Sequence, residues 1–244
     1  MYKNLEQRAK RLRQEIFEVS LKQGEPHFGG CFSCVEILTA LYKKVMKKDD
    51  KFILSAGHKG IAWYPLLKEK GYNPKILMHP DKDIKNGIEL YTGSLGHGIC
   101  VATGMALAKK KKKEKGIIYT LVGDGEMHEG SCWETLNMAR DMNLENLVII
   151  IDYNKQSAID KTKYSYTFKD RLKATDCAFY ETNGHNFKTL IDTFKQATYG
   201  TRPHIILANT IKGKGVSFME GDVNWHNLYP NEEQIKQIKK ELYK

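Results

Sequence analysis

No stretch of this 244-residue sequence is apolar enough to lie in a bilayer. The longest clean aliphatic run is Leu147 to Ile151, whereas a spanning helix takes roughly 20 mostly apolar residues. The first residues, MYKNLEQRAKRLRQEIF, carry charges throughout and lack the apolar core of a signal peptide. Cysteine is scarce and odd in number, five in all, so no disulfide framework is expected and a reducing cytoplasm is the default. Cys31-x2-Cys34 has no second CxxC or CxxH pair to complete a zinc site and no thioredoxin-like context; two small buried residues is the favoured reading. Internal repeats and linkers are lacking too. Apolar residues at 41% and charged residues at 28% exclude collagen, mucin-like stalks and wholesale disorder. The charge is unbalanced, 39 Lys+Arg against 29 Asp+Glu, a formal +10. Half of that excess is the unbroken run Lys109 to Lys113, which follows an apolar helical stretch whose negative end it offsets. Interleaved aromatics, an arginine stripe or a known module are missing, so neither nucleic acid nor membrane is expected as a partner. A nucleic-acid reading would rest on charge alone and require salt-sensitive duplex binding.

What is present reads as alternating helices and strands. Leu5, Ala9, Leu12, Ile16 and Val19 form the apolar stripe of a first helix ending near Leu21. After the break GEPHFGG (24–30), Ser33 with Glu36 predicts a capping box and a helix to about Met46. KFILS (51–55) predicts a short buried strand, SAGHKG (55–60) a turn into a helix ending near Lys70, and Pro74 to Met78 a short helix. Beyond Tyr91, helices are expected at Gly98–Lys110, Glu129–Met142 and Phe187–Tyr199, and strands at 116–122, 146–152, 178–182 and 204–210. This alternation predicts an α/β fold with a mainly parallel sheet and helices on both faces, in one domain spanning 1–244. The charged C-terminal helix, 232–242, has no docking site that the pattern reveals.

In such a sheet, ligands collect beyond the carboxyl ends of the strands. Two strands end in oxygen-bearing residues there: one runs into Gly123-Asp124-Gly125-Glu126, the other into Asp152-Tyr153-Asn154. Asp124 and Asn154 could present a carboxylate and an amide oxygen to one hard cation. Magnesium suits this, since it takes few protein ligands and fills its octahedron with water and phosphate oxygens. Gly123 and Gly125 would let the backbone approach a diphosphate closely. A tight glycine turn with a helix-capping aspartate explains GDG alone equally well.

The spacing adds to this. GDGEMHEG opens a helix containing Trp133, Glu134 and Asn137, and Asn154 follows thirty positions after Asp124, just beyond the next aliphatic strand. This arrangement resembles the metal and diphosphate motif of the thiamine-diphosphate enzymes. GEPHFGGCFSCVEIL, LSAGHKG, YTGSLGHGICVATGMALA and NTIKGKGVSFME…WH resemble, in the same order, segments of one family among them, the transketolases. The matches run from about Glu6 to His226.

The resemblance implies a thiamine-diphosphate-binding fold in which Asp124, Asn154 and the backbone carbonyl of Gln156 bind Mg²⁺ (Ca²⁺ could replace it). Gly123, Gly125 and Glu129 would lie by the diphosphate, and Gly93, Ser94 and Leu95 would line the cofactor's side. His27, His58, His79 and His226 would surround the reacting ring and the sugar hydroxyls, where imidazole can give or accept protons near neutral pH. His97 stands where the family usually has glutamine and could touch the cofactor; His128 reads as incidental, and His185 and His204 as structural. Phe28 replaces a proline or small residue, and NKQSAID (154–160) lacks the glycine often found after its aspartate. Only the family's first domain is matched. The glutamate-bearing pyrimidine domain has no counterpart here, which implies the small subunit of a split transketolase. It would transfer a two-carbon ketol unit between sugars or sugar phosphates with a C-terminal partner subunit, as a heterotetramer of two plus two chains. Alternatives are a deoxyxylulose-phosphate synthase-like or oxo-acid dehydrogenase-like component, or a non-catalytic assembly subunit.

Overall fold

The computed structural model describes residues 2–157 and 167–244; the end of the expected metal loop, 158–160, lies outside the described residues. In chain order the elements are α1 (Tyr2–Gln23), α2 (Phe28–Ser33), α3 (Val35–Ala40), which continues in a wide turn over Leu41–Val45, β1 (Lys51–Leu54), α4 (Gly60–Glu69), α5 (His97–Lys111), β2 (Ile118–Gly123), α6 (Gly130–Asp141), β3 (Leu147–Tyr153), α7 (Phe168–Ala174), β4 (Ala178–Asn183), α8 (Phe187–Gln196), β5 (His204–Asn209) and α9 (Glu232–Leu242). The five strands pair in the order β1-β2-β3-β5-β4, every pair parallel.

Helices cover both faces, so β2 and β3 are buried at every position instead of alternating, and β3 is aliphatic from Leu147 to Ile151. Phe52, Leu54, Tyr119, Leu121, Val148, Ile150 and Ile206 face the core shared with α1–α4, α8 and α9. Ile53, Val122, Leu147, Ile149, Ile151, Ile205 and Leu207 face α5, α6 and α7. The C-terminal helix finds its place here. Ile238 and Leu242 are buried, and Gln14 Nε2 of α1 donates to Leu242 O at 2.8 Å. Asn231 and Gln234 close a reciprocal capping box at its start.

Two expected local structures do not form. Ser33 ends α2 instead of opening the next helix. Its hydroxyl donates to Asp152 Oδ2 at 2.5 Å and lies 2.9 Å from Gly30 O, while Glu36 pairs with Arg13. The capping box is therefore replaced by two tertiary contacts. Pro74 to Met78 is irregular. The Tyr64 hydroxyl of α4 bonds both backbone groups of Leu77, donating to its oxygen at 3.0 Å and accepting from its nitrogen at 3.2 Å. Both groups are thus withdrawn from any helical ladder.

One close approach sets the geometry above the sheet. A Cβ on Gly98 would stand 2.5 Å from Ser55 Cα, so only glycine lets the first turn of α5 sit against the end of β1.

Candidate active site

A cavity of about 410 Å³ opens beyond the carboxyl ends of β1, β2 and β3. Each wall comes from a segment that leaves a strand or opens a helix. β1 leads to His58 and Lys59, β2 to Asp124 and Gly125, and β3 to Asn154 and Gln156. The segment after β5 adds Lys212 and His226, and the turn before α2 adds His27.

Four histidines meet on one wall. The His27 ring lies 5.9 Å from His58, 5.8 Å from His79 and 5.5 Å from His226, and His58 lies 5.3 Å from His226, centroid to centroid. All four are held neutral. Burial, followed by the charges of His79 and Lys212, lowers His27 to about 4. Burial, then Lys212, lowers His226 to about 4. Burial, with Lys59 adding to it, takes His58 well below the usual value, and burial lowers His79. A neutral imidazole offers one N–H donor and one lone pair, so the wall can both give and receive hydrogen bonds. The Nδ1 of His27 is buried without a partner among the described residues.

The same cavity is rich in oxygen atoms around the GDG turn and the end of β3. Asp124 is buried; its Oδ1 accepts from Gly125 N at 2.8 Å and its Oδ2 from Lys155 N at 2.5 Å. Burial, then the nearby Asp152 charge, raises it to about 7. Asn154 Oδ1 accepts from Gln156 N at 3.1 Å, and Gln156 Nε2 donates to Gly221 O at 2.7 Å. Among the described residues no group of three or more His, Cys, Asp or Glu could hold a metal ion. The donor set is instead one carboxylate, one amide and backbone carbonyls. That set fits a hard cation with few side-chain ligands whose remaining positions go to phosphate oxygens. Of the two glycines, Gly125 sits the closer to its surroundings: a Cβ there would stand 3.2 Å from Ser157 Cα, whereas one on Gly123 would make only ordinary contacts at 3.9 Å.

The cavity brings together His27, His58, His79 and His226 with Gly93, Leu95, Gly123, Asp124, Gly125, Asn154 and Gln156. Ser94 and Glu129 are exposed and do not line it. The Ser94 hydroxyl bonds His97 Nδ1 at 3.0 Å. His128, read as incidental, is a lining residue. His185 is structural, with Nδ1 2.8 Å from Glu36 Oε2 and Nε2 accepting from Ile211 N at 2.8 Å.

Sequence reasoning missed three charged groups. Glu126, raised by burial, accepts from Ser55 Oγ at 2.5 Å, Gly96 N at 2.9 Å and Gly123 N at 3.1 Å, tying the GDG turn to the loop before α5. Lys212, lowered to about 8 by burial and then by Lys59, donates to Ser157 O at 3.1 Å and lies 3.4 Å from His226 Nδ1. Lys59 is 1% exposed and ion-paired with the fully buried Asp152. Lys59 stands beside His58 in GHKG and Lys212 follows a buried strand; those positions were the available signal.

Comparison with known proteins identifies the family. Residues 7–243 match the family model described as transketolase, thiamine diphosphate binding domain. The A subunit of the apulose-4-phosphate transketolase of Actinobacillus succinogenes is 37% identical over 268 residues, covering 99% of this chain and 96% of that protein. The 6-deoxy-6-sulfo-D-fructose transketolase subunit SqwG of a Clostridium species is 36% identical, covering 99% and 97%. The solved transketolase of Campylobacter jejuni superposes with a TM-score of 0.87 at 27% identity over 98% of this chain, which spans 42% of that longer one. The chain belongs to the transketolase family, as its thiamine-diphosphate-binding domain.

Proposed function

We propose that this chain, residues 1–244 as one diphosphate-binding domain, is the diphosphate-binding subunit of a split transketolase acting in the cytoplasm. It moves a two-carbon ketol unit from a ketose to an aldose together with a second, pyrimidine-binding subunit. The observation that carries this reading is the cavity itself: four neutral imidazoles and the oxygens of Asp124 and Asn154 line one cleft. Relatives that are named as transketolase subunits and match over nearly their whole length support the split arrangement. Asp124, Asn154 and the carbonyl of Gln156 hold Mg²⁺, or Ca²⁺ in its place. Gly123 and Gly125 let the backbone approach the diphosphate, and Gly93 and Leu95 line the cofactor's side of the pocket, with Ser94 and Glu129 outside the cavity lining. Thiamine diphosphate, when bound, supplies the carbanion-stabilising chemistry.

This chain's share is proton handling and orientation. Sugar hydroxyls meet His27, His58, His79 and His226, whose neutral rings accept a proton from one oxygen and return it to another. Lys212, lowered to about 8, adds a donor next to His226. The assembly is a heterotetramer of two plus two chains, and the substrate is a sugar or sugar phosphate.

The test is reconstitution. Purified alone with thiamine diphosphate and Mg²⁺, the chain should show no ketol transfer from a ketose phosphate to an aldose; adding the pyrimidine-domain subunit should restore it. Turnover by this polypeptide alone would overturn the split arrangement.

A further inference from the structure

Lys59 lies at the floor of the cavity with no exposure that would explain a lysine there. Its ammonium pairs with Asp152 Oδ2, stands 3.4 Å from Gly30 O and 3.5 Å from Ser33 Oγ. Asp152 is fully buried at the end of β3, two residues before Asn154, and its other oxygen accepts from the Thr210 hydroxyl. Ser33 Oγ donates to Asp152 Oδ2 at 2.5 Å. Four segments therefore converge on one ion pair: the turn after β1, helix α2, the end of β3 and the residue after β5. Three of them carry a candidate site residue within a few positions. Lys59 is next to His58, Asp152 precedes Asn154, and α2 begins one residue after His27, whose carbonyl accepts from Cys31 N at 3.2 Å.

The pair is poorly explained as a source of stability. Taking both ions out of water costs about what their attraction returns, and an apolar replacement of the same volume is often neutral or stabilising. What an ion pair with four further hydrogen bonds supplies is direction. The carbonyl of Gly30 and the hydroxyl of Ser33 each see the ammonium from α2, which fixes the height of that helix over the turn bearing His58. The fit is close, because a Cβ on Gly30 would stand 3.0 Å from His58 Cδ2 and 3.9 Å from Lys59 Cγ. A side chain there would push the His58 ring by a few tenths of an ångström from the α2 backbone. Burial works against the Lys59 charge, yet Asp152 more than compensates and raises its pKa above the ordinary lysine range. The ammonium is thus a permanent strut.

We propose that Lys59, anchored on Asp152, is a positioning residue that sets the spacing of the His27 and His58 rings across the cavity wall. This rests on the ketol-transfer reading above for its catalytic consequence, but the ring geometry it fixes belongs to the chain without cofactor.

The test uses two variants of the full chain. Lys59→Met leaves Asp152 buried without its counter-ion and can fail to fold, since breaking such a pair by removing one partner is strongly destabilising. Lys59→Met with Asp152→Asn removes both charges, keeps the net charge of the site and leaves a side-chain amide to bond Ser33 and Thr210. Histidine ring ¹H–¹⁵N spectra of the double variant, recorded without cofactor, should show shifted His27 and His58 signals and an unshifted His185. In the assembled enzyme kcat should fall by about 10- to 100-fold, the scale of a misplacement near 1 Å, with thiamine-diphosphate affinity within about threefold of the parent. A folded double variant whose His27 and His58 signals match the parent overturns the proposal, whether or not the enzyme transfers ketol units. Failure of the ketol-transfer reading shows separately, as an inactive parent complex.

Discussion

At the scale of single residues, the cavity histidines are distinguished by where they titrate. His27 and His226 sit at about 4 in the folded chain, first through burial and then through neighbouring positive charge, against about 6.5 for an unfolded imidazole. The sign follows from linkage. Above about 6.5 neither state binds the proton, so the histidines cost nothing; between about 6.5 and about 4 the unfolded chain binds it and the folded chain does not, so stability falls with falling pH. The expected outcome is a denaturation midpoint that drops from pH 7.5 to pH 4.5, and drops less in His27→Gln or His226→Gln than in the parent chain. Identical slopes in the variants and the parent would remove these rings from the acid sensitivity. His27, His58 and His226 were legible because each sits in a glycine-bearing turn or beside Trp225, within segments matching one family. Lys59 and Lys212 were not. A lysine reads as solvated, and the burial of Lys59 depends on Asp152, 93 positions away.

At the scale of elements, α1, α3 and the turn between β4 and α8 are tied by one buried knot. Arg13 donates from both terminal nitrogens to Glu36, at 2.7 and 2.9 Å, and from Nε to Lys214 O at 2.7 Å. Because His185 Nε2 accepts from Ile211 N, its proton stands on Nδ1 and is donated to Glu36. Burial opposes the Glu36 charge, but the His185 hydrogen bond and Arg13 prevail and lower it to about 2. Glu36→Ala should cost about 3–5 kcal/mol, the range for stranding one partner of a buried ion pair, read as a shift in the urea midpoint at unchanged slope. A loss under about 1 kcal/mol would place the pair among surface bridges instead. This knot also shows where local reading stops. Ser33 and Glu36 have the spacing of a capping box, yet Asp152 and Arg13 claim both side chains, and neither partner is near in sequence. Strands β2, β3 and β5 were readable because burial on both faces leaves short, mostly apolar runs without polar alternation. The short α7 offered too little periodicity, and the fate of Pro74–Met78 was decided by one hydroxyl on α4.

At the scale of the whole molecule, the cavity has walls from this chain on the side of the sheet and a rim of exposed apolar groups on another. Tyr91 is 68% exposed, and Leu95, which itself lines the cavity, is 41% exposed. Both belong to the segment that leads into α5, Tyr91 two residues before the cavity-lining Gly93. The pyrimidine-domain subunit of the proposed enzyme has to cover this rim to complete the cleft, and the side chains it buries there should carry a large share of the association energy. Tyr199 supplies the contrast. It is more exposed than either, at 76%, but lies in the turn before β5, at the amino end of the sheet and away from the cavity. Placing a charge at the rim strands it in a desolvated contact, whereas a charge at Tyr199 stays in water. Tyr91→Glu and Leu95→Glu should each weaken binding of the partner subunit by roughly 10-fold or more, equivalent to about 1.4 kcal/mol, in sedimentation or surface-binding measurements. Tyr199→Glu should leave it unchanged, and hydrogen exchange over residues 91–95 should slow when the partner is added. If Tyr199→Glu proves the damaging variant and the rim variants bind normally, the partner docks at the other end of the sheet and cannot complete this cleft.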